Sequence, residues 1–394
     1  MSSTVDDESV RWLKLSAINL LKLKGKKILI GFTALIFAML SAVESYGGNL
    51  HLPATLLRTR IGQSAQDALI YLKRHQHENG AISLTRQSAF DVWETIQAAR
   101  ALALWQADMG LPLQPIVKAA LHFLKKAETP QGLVLHSSLH KNSYCVETTS
   151  DYIRLLALLV KQNLASPMDV IQKTSYLIKG QLPSGAWKIE NPTVPDKLQI
   201  FPSVTGFALC AIAAAETEPL NLKAAIHYLK STQTDVGHWG FAPPYYGTPF
   251  YVTSPVLTAF KSYPNAARLE ETIQKGRAFL LSCQQKDGGF LDNISQNEPW
   301  PSPELQTILA LTSLLQCNVT DDLSAISKGL NWLLDRQRPD GSWNGGWFPM
   351  TAREAEKKED IYCTSLVLVF LKEFLLAGKA PPLNRTEPSI PRRF

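Results

Sequence analysis

The chain has 394 residues, of which 45% are hydrophobic and 19% charged, a balance that builds a core and excludes a disordered chain. Its net charge of +6 is local: residues 1–60 hold eight Lys/Arg against four Asp/Glu, leaving 32 against 30 elsewhere, so there is no basic face for nucleic acid. The five cysteines, Cys145, Cys210, Cys283, Cys317 and Cys363, are scattered without C-x-x-C or Cys/His pairing, which excludes a zinc cluster or disulfide framework of recognisable spacing.

The first element is the 16-residue apolar run 28-ILIGFTALIFAMLSAV-43, preceded by Lys22, Lys24, Lys26 and Lys27. It is shorter than the ~20 residues a spanning helix needs. It suits a helix lying on a membrane surface with its lysines on anionic lipid, with a cleaved signal peptide and a buried core helix as alternatives. The expectation is peripheral attachment on the cytoplasmic side of a membrane by an N-terminal segment spanning 1–64.

From residue 65 the chain repeats itself. The segments beginning Gln181, Gln233, Gln284 and Gln337 all read Q-x3-G-x-aromatic, closing on Trp187, Trp239, Phe290 and Trp343, with steps of 52, 51 and 53 residues between the glutamines. Two decayed copies, Gln76 to Ile82 and Glu128 to Val134, extend the period upstream. Each unit also carries a threonine near the start of an apolar stretch: Thr95, Thr149, Thr205, Thr253, Thr307 and Thr364.

Between a threonine and the next glutamine the pattern gives two helices, as in 149-TSDYIRLLALLVKQ-162 and 168-MDVIQKTSYLIKGQ-181, each apolar at i, i+3, i+4 and i+7. Glutamine ends the second helix, glycine permits a left-handed turn, and the aromatic packs back across the joint. One such unit cannot bury both helices, so the units must stack. The expected fold is all-α: a single (α/α)6 barrel over 65–380, first helices inside and second helices outside, followed by a tail, 381–394.

These Q-x3-G-x-W turns resemble those of the class II terpene cyclases, the family of squalene-hopene and oxidosqualene cyclases. The likeness covers about residues 65–378. The helix 91-DVWETIQAARALAL-104 is similar to the family's V-W-D-T-A helix, and 145-CVETTS-150 falls where the family carries D-x-D-D-T-A. Similarly, 239-WGFAPPYYGT-248 resembles W-G-V-N-Y-x-Y-G-T, and 302-SPELQTILAL-311 resembles S-x-Q-T-A-W-A-L. With residues for only one barrel, the chain looks like a single-barrel member of a meroterpenoid pathway.

The resemblance implies an isomerase-type cyclase that protonates a terminal alkene or epoxide of a linear polyprenyl or prenylated aromatic substrate, with no metal and no cofactor. The acid motif departs from the family: Cys145, Glu147 and Thr148 stand where it has three aspartates. Glu147 therefore takes the proton-donating position, with the Cys145 thiol and the Thr148 and Ser150 hydroxyls available to orient it, and Asp151 and Asp91 as alternative acids. A helix-capping role for Glu147 is the structural alternative. Aromatic faces would stabilise the carbocations; the candidates are Trp93, Tyr144, Phe201, Trp239, Tyr246, Tyr251, Trp300 and Tyr362.

The rival enzyme of the same fold is a zinc-dependent protein prenyltransferase β subunit. It would need D-x-C and a histidine in D-x-Y-H-T, whereas this chain reads 360-DIYCT-364. A barrel that binds isoprenoids without turnover is the non-enzymatic alternative.

Overall fold

The computed structural model describes residues 54–377 apart from 87, 141, 143, 193, 241–246, 267–268, 293–300, 318 and 347–359. The apolar run 28–43, the C-terminal tail 381–394, Tyr246 and Trp300 lie outside the described residues. The helices are α1 (Ala54–Arg74), α2 (Asp91–Trp105), α3 (Gln114–Lys126), α4 (Val146–Lys161), α5 (Pro167–Lys179) and α6 (Pro202–Ala214). They continue as α7 (Leu222–Ser231), α8 (Pro249–Ser262), α9 (Glu270–Ser282), α10 (Pro303–Cys317), α11 (Val319–Asp335) and α12 (Asp360–Ala377). Among the described residues there are isolated β-bridges and no β-strand. None of these helices is long and apolar enough to cross a membrane.

Even-numbered helices form the inner ring and odd-numbered helices the outer one. Sequence dictates the division. In α6 every residue from Pro202 to Ile212 is buried, whereas α3 buries only the stripe Ile116, Val117, Ala120, Leu121, Phe123 and Leu124. Each inner helix packs on the next, and α12 returns to pack on α2, which closes the ring.

The repeated residues are the staples. Each glutamine amide donates to the carbonyl of its own glycine and to a carbonyl of the next outer helix or its N-cap. Gln76 Nε2 reaches Ile116 at 2.9 Å, Gln181 reaches Asn221 at 3.0 Å, and Gln233 reaches Thr272 at 2.9 Å. Gln284 reaches Ala325 at 2.9 Å, and Gln337, in the last unit, reaches Ser64 of α1 at 2.9 Å. The glycine of the motif is left-handed: at Gly341, φ is 94° and a Cβ would lie 2.4 Å from the Asp67 carbonyl oxygen. The tryptophan indole N–H then donates to the preceding outer helix, Trp187 to Leu177 O at 2.6 Å and Trp343 to Leu333 O at 2.7 Å.

Five of the six threonines, all but Thr253, complete the joint, because their hydroxyl oxygens accept the backbone N–H of the motif's last residue. Thr95 serves Ile82 at 2.8 Å, Thr149 Val134 at 2.9 Å, Thr205 Trp187 at 3.2 Å, Thr307 Phe290 at 2.9 Å and Thr364 Trp343 at 3.0 Å. Each would otherwise be a buried orphan donor. The decayed second copy is repaired differently: Glu128 accepts from Tyr152 at 2.9 Å and from Lys173 Nζ at 2.8 Å, and the lysine side chain is 1% exposed.

Two sequence expectations change. A boundary at residue 65 falls inside α1, which runs from Ala54 and carries Arg60, hydrogen-bonded to Asn331 at 3.4 Å. Trp239 is a staple, 0% exposed with its indole N–H on Leu229 O at 2.6 Å, and belongs to the joint between α7 and the turn after it. An indole buried there satisfies its donor on its own outer helix and has no face left for a ligand.

Candidate active site

The threonines set a common register for the six inner helices. Two residues before each stands Trp93, Glu147, Ser203, Tyr251, Leu305 or Tyr362, at the amino-terminal end of the ring. Neighbours in this first layer touch: the Trp93 and Tyr362 rings lie 4.1 Å apart between centroids, and the Ser203 hydroxyl donates to Glu147 Oε1 at 2.8 Å. Two residues after each threonine come Gln97, Asp151, Phe207, Pro255, Leu309 and Leu366, all lining one cavity of about 360 Å³ that Tyr251 and Tyr362 also line.

Glu147 sits in the first turn of α4 and is 9% exposed. Its orienting partner is not the one expected. Cys145 caps the helix, its sulfur accepting from Thr148 N at 3.3 Å and lying 2.9 Å from the Thr148 hydroxyl, so Cys145 and Thr148 are turned to each other. Burial, and then the Glu147 carboxylate, push the Cys145 thiol up to about 12, which keeps it neutral. The Ser150 hydroxyl is buried without a partner among the described residues. A hydrogen bond to Glu147 comes from Ser203, on the next inner helix and 56 residues away in sequence.

Asp151 lies one turn deeper on the same face of α4 and accepts two N–H donors, Gln97 Nε2 at 2.7 Å and Arg154 Nη1 at 3.2 Å. Asp91 is a structural tie. Its Oδ1 accepts from Val92 N at 2.8 Å and Ser138 N at 2.7 Å, and its Oδ2 from the Ser138 hydroxyl, which holds the 136–138 loop to α2. Burial raises the Asp91 carboxyl despite these donors.

Tyr144 and Phe201 stand half-buried just before α4 and α6. Phe207 and Tyr251 meet at 6.0 Å between ring centroids. Pro255 lies inside α8 against Gly206 of α6; a Cβ at Gly206 would lie 2.8 Å from the Pro255 carbonyl carbon, so the two helices touch backbone to backbone. Among the described residues no group of three or more His, Cys, Asp or Glu could hold a metal.

Sequence reasoning missed a further buried acid beside Asp91, Glu147 and Asp151. Glu94 is 2% exposed, takes a hydrogen bond from Ser88 Oγ at 2.7 Å, and is lifted by burial from an ordinary 4.5 to about 8. Its sign is fixed: the unfolded chain loses this proton near 4.5, while the folded one keeps it to about 8. The stabilisation is therefore complete below the lower value and is lost as pH rises through the higher. Urea unfolding followed from pH 5 to 8 is expected to show stability falling by about 1 kcal/mol per pH unit, and Glu94→Gln is expected to flatten that stretch.

Comparison with known proteins agrees with this architecture. Residues 203–354 match the family model of the squalene-hopene cyclase C-terminal domain. Squalene-hopene cyclase of Zymomonas mobilis is 33% identical over 169 residues, 38% of this chain and 24% of that enzyme. Lanosterol synthase of Pneumocystis carinii is 30% identical over 135 residues, 31% of this chain and 18% of that enzyme. The chain thus spans about a quarter or less of the length of these curated relatives. The type II terpene cyclase MstE from Scytonema, solved with geranylgeranyl dihydroxybenzoate, superposes with a TM-score of 0.59 at 20% identity over 80% of this chain and 97% of that one.

Proposed function

We propose that this chain is a class II terpene cyclase, which its similarity to squalene-hopene cyclases supports, and that it cyclises a linear polyprenyl chain by protonating its terminal double bond, with Glu147 as the proton donor. The observation that carries the reading is the first layer of the barrel: one carboxyl group, Glu147, shares a six-membered ring of positions with Trp93, Tyr251 and Tyr362. The alkene π electrons take the acid proton, the O–H bond breaks, and Glu147 is left as a carboxylate while the cation passes along the chain. Loss of a proton or capture by water ends the cascade.

Ser203 supports the assignment. Its hydroxyl donates to Oε1 of Glu147, which directs the acid proton to Oε2. Asp151, whose oxygens accept from Gln97 and Arg154, is the alternative acid one turn deeper. Aromatic faces are worth about 0.5–2 kcal/mol each to a desolvated cation, and the tilted pair Trp93 and Tyr362 stands on the far side of the ring from Tyr251.

A prenylated aromatic acid is the first substrate to try, because the similar fold MstE was solved with such a molecule. A panel of squalene, prenyl diphosphates and prenylated hydroxybenzoates, with products followed by mass and NMR, is expected to give a cyclised isomer of the prenylated acid. Turnover of squalene alone would refute that substrate, and binding without any turnover would leave an isoprenoid carrier instead of an enzyme. Peripheral membrane attachment through the 28–43 run belongs to the same proposal, suited to a greasy substrate.

A further inference from the structure

The carboxyl-terminal half of the barrel lumen is charged, which cation cyclisation does not require. Five residues after the threonines the layer reads Arg100, Arg154, Cys210, Thr258, Thr312 and Val369. Arg100 and Arg154 line both the 360 Å³ cavity and an adjoining recess of about 440 Å³. The walls of the two spaces together carry four cations, Arg100, Arg154, Lys161 and Lys261, against two anions, Asp151 and Glu373.

Helix dipoles explain the lysines but not the arginines. Lys161 and Lys261 sit in the last turns of α4 and α8, where a cation meets the open carbonyls. Arg100 and Arg154 stand five and seven residues before the ends of their helices, beyond the reach of that effect. They are also poorly satisfied. Each guanidinium has five N–H donors, yet Arg154 donates only to Asp151, and Arg100 makes no hydrogen bond among the described residues, pairing with Glu373 Oε1 at a loose 3.6 Å. Their side chains are only 19% and 13% exposed. Burial, and then the like charge of Arg154, lower the Arg100 guanidinium to about 10. Two largely buried guanidinium groups thus line one space with most of their N–H donors unused beside Asp151 and Glu373, donors that an oxyanion between them would fill.

We infer that this lower cavity is an oxyanion site, in which Arg100 and Arg154 clamp a carboxylate or phosphate group. A volume of 360 Å³ is in the range of small-molecule pockets. The site lies two layers below Glu147, roughly 10 Å along α4 at 1.5 Å per residue. It is separate from the donor, so anion binding stands or falls apart from the cyclase reading.

Calorimetric titration of the full chain with sodium benzoate and with inorganic phosphate, at constant ionic strength set by chloride, tests it. The wild type is expected to bind at least one of them and to ignore benzyl alcohol. Arg100→Gln and Arg154→Gln are each expected to weaken binding roughly tenfold or more, the value of one charge-assisted contact. Arg154→Gln also strips Asp151 of a partner and endangers folding, so Arg100→Lys, which keeps the charge and loses the planar fork, is the second variant and is expected to fall between. Binding of benzoate alone assigns the site to a carboxylic acid ligand, and binding of phosphate alone to a phosphate or phosphorylated one. Glu147→Gln is expected to bind as the wild type does. No binding by the wild type, or unchanged binding in both Arg100 variants, overturns the inference.

Discussion

Glu147→Gln is expected to lower cyclisation by roughly 100- to 10,000-fold, the usual worth of a placed general acid, while melting temperature and substrate affinity stay near those of the wild type. Glutamine keeps the volume of the side chain and can still accept the Ser203 hydroxyl through its amide oxygen, so the hydrogen bond between α4 and α6 survives. Only the acidic proton is gone. An alkene offers no lone pair for a weaker donor, so the loss should appear in kcat and not in KM. Glu147→Asp should retain part of the rate, its proton present but withdrawn by one methylene. A glutamine variant with full turnover would return Glu147 to the role of a helix-end charge, and loss of turnover in Asp151→Asn would then move the donor one turn deeper.

The second large effect is on stability. Lys173→Met is expected to cost about 3–5 kcal/mol, because it leaves the Glu128 carboxylate half-buried with only the Tyr152 hydroxyl as a partner. The ammonium also lies 5.7 Å from the Tyr152 ring centroid, and methionine cannot replace that cation–π attraction. Adding Glu128→Gln should recover most of the stability. Glutamine is what the other five units use at this position, and its amide can donate to the Gly132 carbonyl as Gln181 does to Gly185 at 3.1 Å. Urea unfolding of the wild type, the single variant and the double variant measures the coupling directly. A double variant no more stable than the single one would mean that this joint no longer accommodates the pattern of the other five.

The turns are legible in sequence because each of their parts has one residue type that can fill it. A left-handed glycine against a backbone carbonyl, an amide that bridges two carbonyls and an indole with one donor tolerate few substitutes, so a period near 52 stands out. The lumen has no such rule. The first layer reads Trp, Glu, Ser, Tyr, Leu, Tyr, a set without common chemistry, and only counting from the threonines aligns it. Glu147 stands out through its resemblance to an acid motif, but Ser203 carries no signal until it is seen to hold the same register one helix later. Arg100 and Arg154 escape notice for the same reason, although both fall five residues after a threonine. Trp239 is misassigned when the resemblance of the segment around it is followed. Its staple role is already written in its own motif.

The bond from Gln337 to Ser64 makes the first helix the missing half of the last unit. The number of units is therefore fixed by geometry in a way that an open array avoids. A linear solenoid can gain or lose a whole unit at its end and change stability by one increment. Here, deleting the 52 residues from one glutamine to the next would leave five wedges cut for a circle of six, with two apolar faces and no partner for either. Single residues within a wedge are free to drift, as the exchange of a glutamine for Glu128 and Lys173 records. The count is not.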